Sequence, residues 1–450
     1  MAMEIEKERG AKKGWDKWEL GLLAAALLFY LFFPLYDGPV WCKDSMSYAT
    51  MDITREPLYP TFLWVFRRLF GEGNYLMPVV VAQSILAAYA AWKLAVTVKA
   101  RKEGGKILSL IALVSQFGVT ILCRFVAARS SAYTDSIMTE GLGLSLYVLF
   151  VLQLYKYIID EKIKNLAGTV VYAILLINLR KQMLITLCLM AAVFVLYYLI
   201  KEQKGKKLLL LLAMTVGIFA ACRFTDKLYN YCVRGVWIEH SGNSMGMLCT
   251  LIYTSGEEDG ALFEDGTLKG MYEEISKEAD KQGLKITYAP KGWVDLSSHY
   301  ADSYDAIGYG IINPVVQGYI AEHYEYTPVE AVLKYDEYCN EIVKTLLGQE
   351  KGDLVRVYLS NTWKGFVNSI ARVNKYLNIY AAASYLLYLG LYLYYVRKKG
   401  CWREKDKTAA FTEIVFGGIA VNAMVVGAMI FCQPRSMIYS MGLFYTALSV

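Results

Sequence analysis

Histidine is scarce in this chain of 450 residues, where only His240, His299 and His323 occur. None shows ligand spacing, which argues against a Cys/His zinc centre and leaves each as a surface or packing residue. The chain also lacks a Gly-rich phosphate loop, so it carries no signature of nucleotide binding. No internal repeat or low-complexity tract occurs, which counts against a repeat-built transporter. Most of the nine cysteines, Cys123, Cys188 and Cys432 among them, fall in apolar runs as small hydrophobes. Cys232, Cys249 and Cys339 share one polar segment, where one pair could be bridged. No small-residue cleavage site follows the first apolar run, which is therefore expected to remain as an anchor.

What is abundant is apolar sequence. Hydrophobic residues make up 56% of the chain, mean hydropathy is +0.31, and the apolar residues arrive in blocks of about 20. This predicts an all-α polytopic membrane protein of about ten transmembrane helices. The blocks cover 18–36, 75–98, 106–128, 137–155, 166–180, 182–200, 208–224, 376–396, 411–432 and 436–450. The last would reach only roughly 22 Å against a hydrocarbon core of about 30 Å. Residues 1–17 form a basic tail, expected in the cytoplasm of a plasma-membrane protein. Counting from there, the basic connections KARKEGGK, KYIIDEKIKN, KEQKGKK and RKKGCWREKDK all fall on the inner side. Residues 225–375 then form an outer, mostly helical insertion before the C-terminal spans 376–450.

Charges at the outer ends carry the functional signal. Arg124, Arg129, Arg180, Lys181, Arg223 and Arg435 stand where the topological bias disfavours cations. Singly, each reads as a snorkelling side chain. Together they suggest a site for an anion such as a lipid phosphate or diphosphate, with Arg180 and Lys181 foremost because their connection is short. Carboxylates converge on the same side. Asp44 follows the first span in the outer loop 37–74, and Asp135 and Glu140 open the fourth. Asp135 reads either as a helix cap or as a partner of Asp44 in one pocket. Glu140, too deep for a capping role, needs a cation such as Arg124 or Arg129. An amphipathic stretch follows Asp44, from Pro57 to Phe70.

Asp44-Ser-Met-Ser-Tyr48 followed by Arg55-Glu56-Pro57-Leu58-Tyr59 resembles the first outer loop of the GT-C glycosyltransferases, in the branch of aminoarabinose transferases and protein O-mannosyltransferases. Asp135 is similar to the acid that begins their fourth span. The resemblance covers residues 18–224 and implies a seven-span catalytic module, with a variable part behind it. It further implies an inverting transfer of a sugar from a polyprenyl-phosphate donor to an envelope glycan, lipid or protein. Asp44 would be the general base, and Asp135 would orient the acceptor, share the base role or bind a divalent cation. Arg180, Lys181, Arg435 and Arg55 would hold the departing phosphate, with Glu140, Arg129 and Tyr48 in support. Where the family has a second acid beside Asp44 this chain has Ser45, so the metal is left open. No nucleic-acid partner is implied.

Three other readings compete. A transporter or flippase for an anionic lipid-linked substrate would show broken helices and a repeat. A polysaccharide polymerase or ligase would use a diphosphate-linked donor. A noncatalytic assembly protein would leave its buried charges paired with one another and would have no groove of lipid size.

Overall fold

Asp16 starts the first helix by accepting the Trp18 amide at 3.0 Å, and Gly38, at φ +71°, ends it in a conformation that side chains resist. Between them lies α1 (Lys17–Asp37). The computed structural model describes residues 16–101, 105–126, 131–242, 244–349, 351–371 and 375–449. Residues 1–15 of the basic tail, Lys102 and Arg129 lie outside the described residues.

After α1 come α2 (Ser45–Ala49), α3 (Leu58–Phe70), α4 (Leu76–Arg101), α5 (Gly105–Val126), α6 (Glu140–Asp160) and α7 (Ile163–Leu179). The next rod joins a 3-10 turn (Lys181–Leu184), α8 (Ile185–Phe194) and a π-helical end (Val195–Lys201). It leads to α9 (Gly205–Arg234). The unit expected to lie outside contains α10 (Met245–Thr254), α11 (Gly266–Lys281), α12 (Trp293–Asp305), α13 (Asn313–His323) and α14 (Pro328–Leu346) and is called the second unit below. The chain returns through α15 (Lys351–Ile370), α16 (Lys375–Lys399) and α17 (Lys407–Met429) to α18 (Pro434–Met437) and α19 (Met441–Ser449). Among the described residues the structure is helical throughout, apart from a lone parallel bridge between Val40 and Ser136.

Among the described residues eight helices are long and apolar enough to cross a membrane, against the ten expected, in an α-helical polytopic architecture. Two of the ten fall short. α7 has 17 residues. The stretch expected to span 436–450 is interrupted by a 3-10 turn (Ile438–Ser440), and leaves only the nine residues of α19. Such a helix covers about 14 Å. Its side chains are buried against α5 and α17, with Gly442 beside Gln116, so it fills the bundle instead of crossing a bilayer. The fourth span also starts later than expected. Residues 131–139 are held as a loop by Gln83, whose amide donates to the Thr134 and Ser136 carbonyls at 2.9 and 3.0 Å.

Among the described residues two large cores stand out. One threads the bundle from Leu22 to Ala447, and the other, from Leu248 to Val357, belongs to the second unit. The boundaries differ from 224 and 375. α9 runs ten residues further, to Arg234, and α15 leaves the unit to pack along α17. Gly365 permits that approach, because a Cβ there would stand 3.0 Å from Ala423 and from Cys432 Sγ. Asn361 then satisfies the end of α17, donating to the Gly427 and Ile430 carbonyls at 3.0 and 2.8 Å. Cys232, Cys249 and Cys339 are all thiols, so the bridge considered among them is not formed; Cys249 and Cys339 are packed in the core of the second unit instead.

Candidate functional site

Pro57 caps α3, whose Tyr59, Pro60 and Leu63 face inward while Trp64, Leu69 and Phe70 remain exposed. Such a helix suits a bilayer boundary. Tyr59 donates to Gln83 at 2.8 Å, tying α3 to α4 and, through Gln83, to the 131–139 loop. The same loop fixes residues 40–45. Val40 donates to the Asp135 carbonyl at 2.8 Å, and Ser45 Oγ donates to the Ile137 carbonyl at 2.8 Å. Asp44 thus begins the short α2 with its backbone held, and its carboxylate makes no capping bond.

That carboxylate turns to two arginines. Arg55 Nη2 lies 3.0 Å from Oδ1 and Arg435 Nη1 3.1 Å from Oδ2, although Arg435 is 391 residues away in the sequence. Arg55 also donates to Ser47 Oγ at 2.7 Å, and its guanidinium lies 4.6 Å from the Tyr48 ring centre. Burial opposes ionisation of Asp44, but the two guanidinium groups prevail and hold its carboxyl below the usual range. Behind this group, Glu140, only 1% exposed, pairs with Arg180, which also donates to Ser436 Oγ at 3.3 Å. Arg180 and Arg435 are therefore bound to one short turn, and three guanidinium groups face two carboxylates. Arg435 Nε is buried without a hydrogen-bond partner.

Other predicted site residues lie elsewhere. Asp135 does not join Asp44. Its Oδ1 accepts the Ala132 amide at 3.0 Å, while Oδ2 is buried without a partner. Burial, with Asp37 nearby, pushes its carboxyl up to about 7. It does not cap α6 either, since that helix begins after Thr139. Arg124 pairs with Asp37, not Glu140, and Arg129 is outside the described residues. Lys181 adjoins Arg180 but faces away from it. Its main-chain amide donates to Glu56, and its side chain lines a separate cavity of about 150 Å³ with Glu56, Asp226 and His240. His240, expected to be a surface or packing residue, is instead paired through Nδ1 with Asp226 at 2.5 Å. Among the described residues no group of three or more His, Cys, Asp or Glu side chains is placed to hold a metal.

The second unit adds what the sequence did not single out. Loop 52–55 docks on it through Ser241, whose amide donates to the Ile53 carbonyl at 3.1 Å, and Asp336 accepts the Gly242 amide at 2.5 Å. Gly242, at φ +95°, lies so close to Thr54 that a Cβ would clash with it. Beside this junction opens a cavity of about 600 Å³ that starts at Arg55 and is walled by Tyr309, Asn313, Gln317, Tyr324 and Tyr326. Tyr309 and Asp305 lie within electrostatic reach of Arg435. Burial raises the Asp305 carboxyl above its ordinary value. Neither residue has a sequence signal, because both depend on how the end of α12 and the π-helical segment after it (Ala306–Ile312) are seated. Compared with known proteins, the chain matches no family, no curated protein and no solved structure.

Proposed function

We propose that the protein is a membrane glycosyltransferase of the GT-C type, which moves a sugar from a polyprenyl-phosphate donor to an acceptor on the outer side of the plasma membrane. One observation carries this reading: a carboxylate is shared by two arginines, of which Arg55 lines a cavity large enough for sugar units and Arg435 keeps a spare buried donor. Arg55, Arg435 and Arg180 supply the cationic charge that a departing phosphate requires.

A carboxylate held by two guanidinium groups is a weak base. A donor phosphate competes for the same groups, and as it takes Arg55 and Arg435 the Asp44 carboxylate is released and its basicity rises. The acceptor hydroxyl then attacks the anomeric carbon, its proton passes to Asp44, and the bond to the phosphate oxygen breaks with its electron pair leaving on the phosphate. The Tyr- and amide-lined cavity suits the acceptor. Asp135 supports the 40–45 loop in this scheme and takes no part in the chemistry.

The assembly-protein reading has one observation in its favour, namely that the buried and half-buried charges of the cluster are paired with one another. The adjoining cavity is what that reading lacks. Purified protein given a polyprenyl-phosphate sugar and an acceptor separates the two: Asp44→Asn abolishes transfer under the transferase reading, and transfer by no form of the protein supports the other.

A further inference from the structure

Two adjacent residue pairs straddle the domain end of the bundle. Arg55 and Arg180 face the Asp44 cluster, while their neighbours Glu56 and Lys181 face the cavity of about 150 Å³ on the other side. α9 contributes Phe219, Cys222, Arg223 and Asp226, spaced i, i+3, i+4 and i+7 and therefore on one helical face. Gly235, at φ +75°, ends α9 and turns the chain back, so that the His240 amide reaches Asp226 at 3.1 Å.

The polar groups of this cavity are unequally satisfied. Glu56 accepts the Lys181 amide, Asp226 accepts from both the amide and the ring of His240, and Glu239 pairs with Arg223 at 2.6 Å. Each carboxylate thus has a partner. The cationic side is different. His240 Nε2 is buried without a hydrogen bond, its side chain is 9% exposed, and the nearest carboxylate oxygen, on Glu56, is 3.9 Å away. Among the described residues the Lys181 ammonium has no ion-pair partner. Ile177, Leu184 and Phe219 give the same cavity an apolar wall, and Phe219 is 39% exposed on the flank of a membrane-length helix.

We propose that this cavity is a second site, separate from the Asp44 cluster, that binds the phosphate oxyanion of a lipid headgroup between Lys181 and the imidazolium of His240. The headgroup would enter along the exposed flank of α9, leaving its acyl chains in the bilayer. Arg223 is neutralised by Glu239 and sets the rim. The groups facing His240 are Asp226 and Arg223 from α9, Glu56 from the approach to α3, Lys181 from the 3-10 turn and Glu239 from its own loop. Burial and Lys181 oppose protonation of the imidazole, but Asp226 and Glu56 outweigh them and set its pKa above that of free imidazole. Binding is therefore stronger at low pH and weakens as pH rises through the pKa of His240. The inference is independent of the transfer reaction.

The test is native mass spectrometry of the full chain with dioleoyl phosphatidate, dioleoylglycerol or inorganic phosphate, at pH 6 and pH 8. Wild type should retain one phosphatidate in preference to dioleoylglycerol, more strongly at pH 6. Lys181→Ala and His240→Gln should each weaken that retention about tenfold, the scale of one lost charge-assisted hydrogen bond. Lys181→Arg should restore it, and His240→Gln should remove the pH dependence. Displacement of phosphatidate by millimolar inorganic phosphate would support the oxyanion site but assign it to the free anion, overturning the lipid assignment. Should His240→Gln fail to fold, Lys181→Ala still decides, because its main-chain bond to Glu56 survives the substitution. Retention unchanged in folded Lys181→Ala overturns the proposal.

Discussion

The two ends of α6 carry similar charges in different settings. At its first residue, Glu140 and Arg180 stand behind Asp44, Arg55 and Arg435. About 30 Å away, by the rise of a 21-residue helix, Glu161 receives Lys207 and Lys405, and Lys405 also meets Glu202 at 2.5 Å. Nearby, Glu413 takes Lys201 at 2.7 Å and the hydroxyls of Tyr197 and Tyr392. This second group ties the connections after α6 and α8 to the start of α17, where ion pairs act as braces. The first group borders a large cavity and keeps an unused donor. Pairing alone therefore does not identify a site; the first group is marked by the cavity that Arg55 lines.

The comparison breaks most sharply at Asp44. Asp44→Asn should lower transfer by a hundredfold or more, the usual contribution of a general base, while leaving the thermal midpoint within a few degrees. An assay with saturating polyprenyl-phosphate sugar checks this against wild type. Arg435→Ala should come next. It removes one of the two partners of Asp44 and the spare Nε, so the donor KM should rise about tenfold or more, with a smaller change in kcat.

A smaller effect is expected at Asp135, and its sign follows from protonation. Its folded pKa of about 7 exceeds the unfolded value of about 3.9, so its contribution to stability is fully present below about pH 4 and is lost as pH rises through 7. Asp135→Asn, which keeps an acceptor for the Ala132 amide, should therefore melt progressively higher than wild type between pH 5 and pH 8. The smallest effect belongs to the braces. Lys207 and Lys405 overcome the burial of Glu161 and hold its carboxyl at about 2. Its stabilisation is present above about pH 4.3 and is lost as pH falls toward 2. Glu161→Gln should cost about 1 kcal/mol or less at neutral pH, read by thermal melting, with transfer unchanged.

Much of this arrangement is legible in the sequence because it depends on local rules. Pro57 and the apolar spacing after it mark α3, and the blocks of apolar sequence mark the long spans. Cations at the span ends expected on the outer side point to Arg180 and Arg435 because a lipid phase makes such residues costly. What the sequence hides depends on local chain direction and packing. Arg180 has extended backbone and Lys181 opens a 3-10 turn, so neighbouring side chains diverge, and no periodicity separates them beforehand. Asp226 and His240 meet only because α9 continues to Arg234 before the Gly235 turn. The hydropathy of 436–450 is that of a span, but burial inside the bundle and exposure to lipid demand the same composition.

The most direct test is a cryo-electron microscopy structure of the protein with polyprenyl monophosphate bound in nanodiscs. The account predicts phosphate density within hydrogen-bond distance of Arg55 and Arg435, with the Asp44 carboxylate turned away from both toward the Tyr309 cavity. A bound lipid phosphate elsewhere, with Asp44 still held by both guanidinium groups, would contradict it.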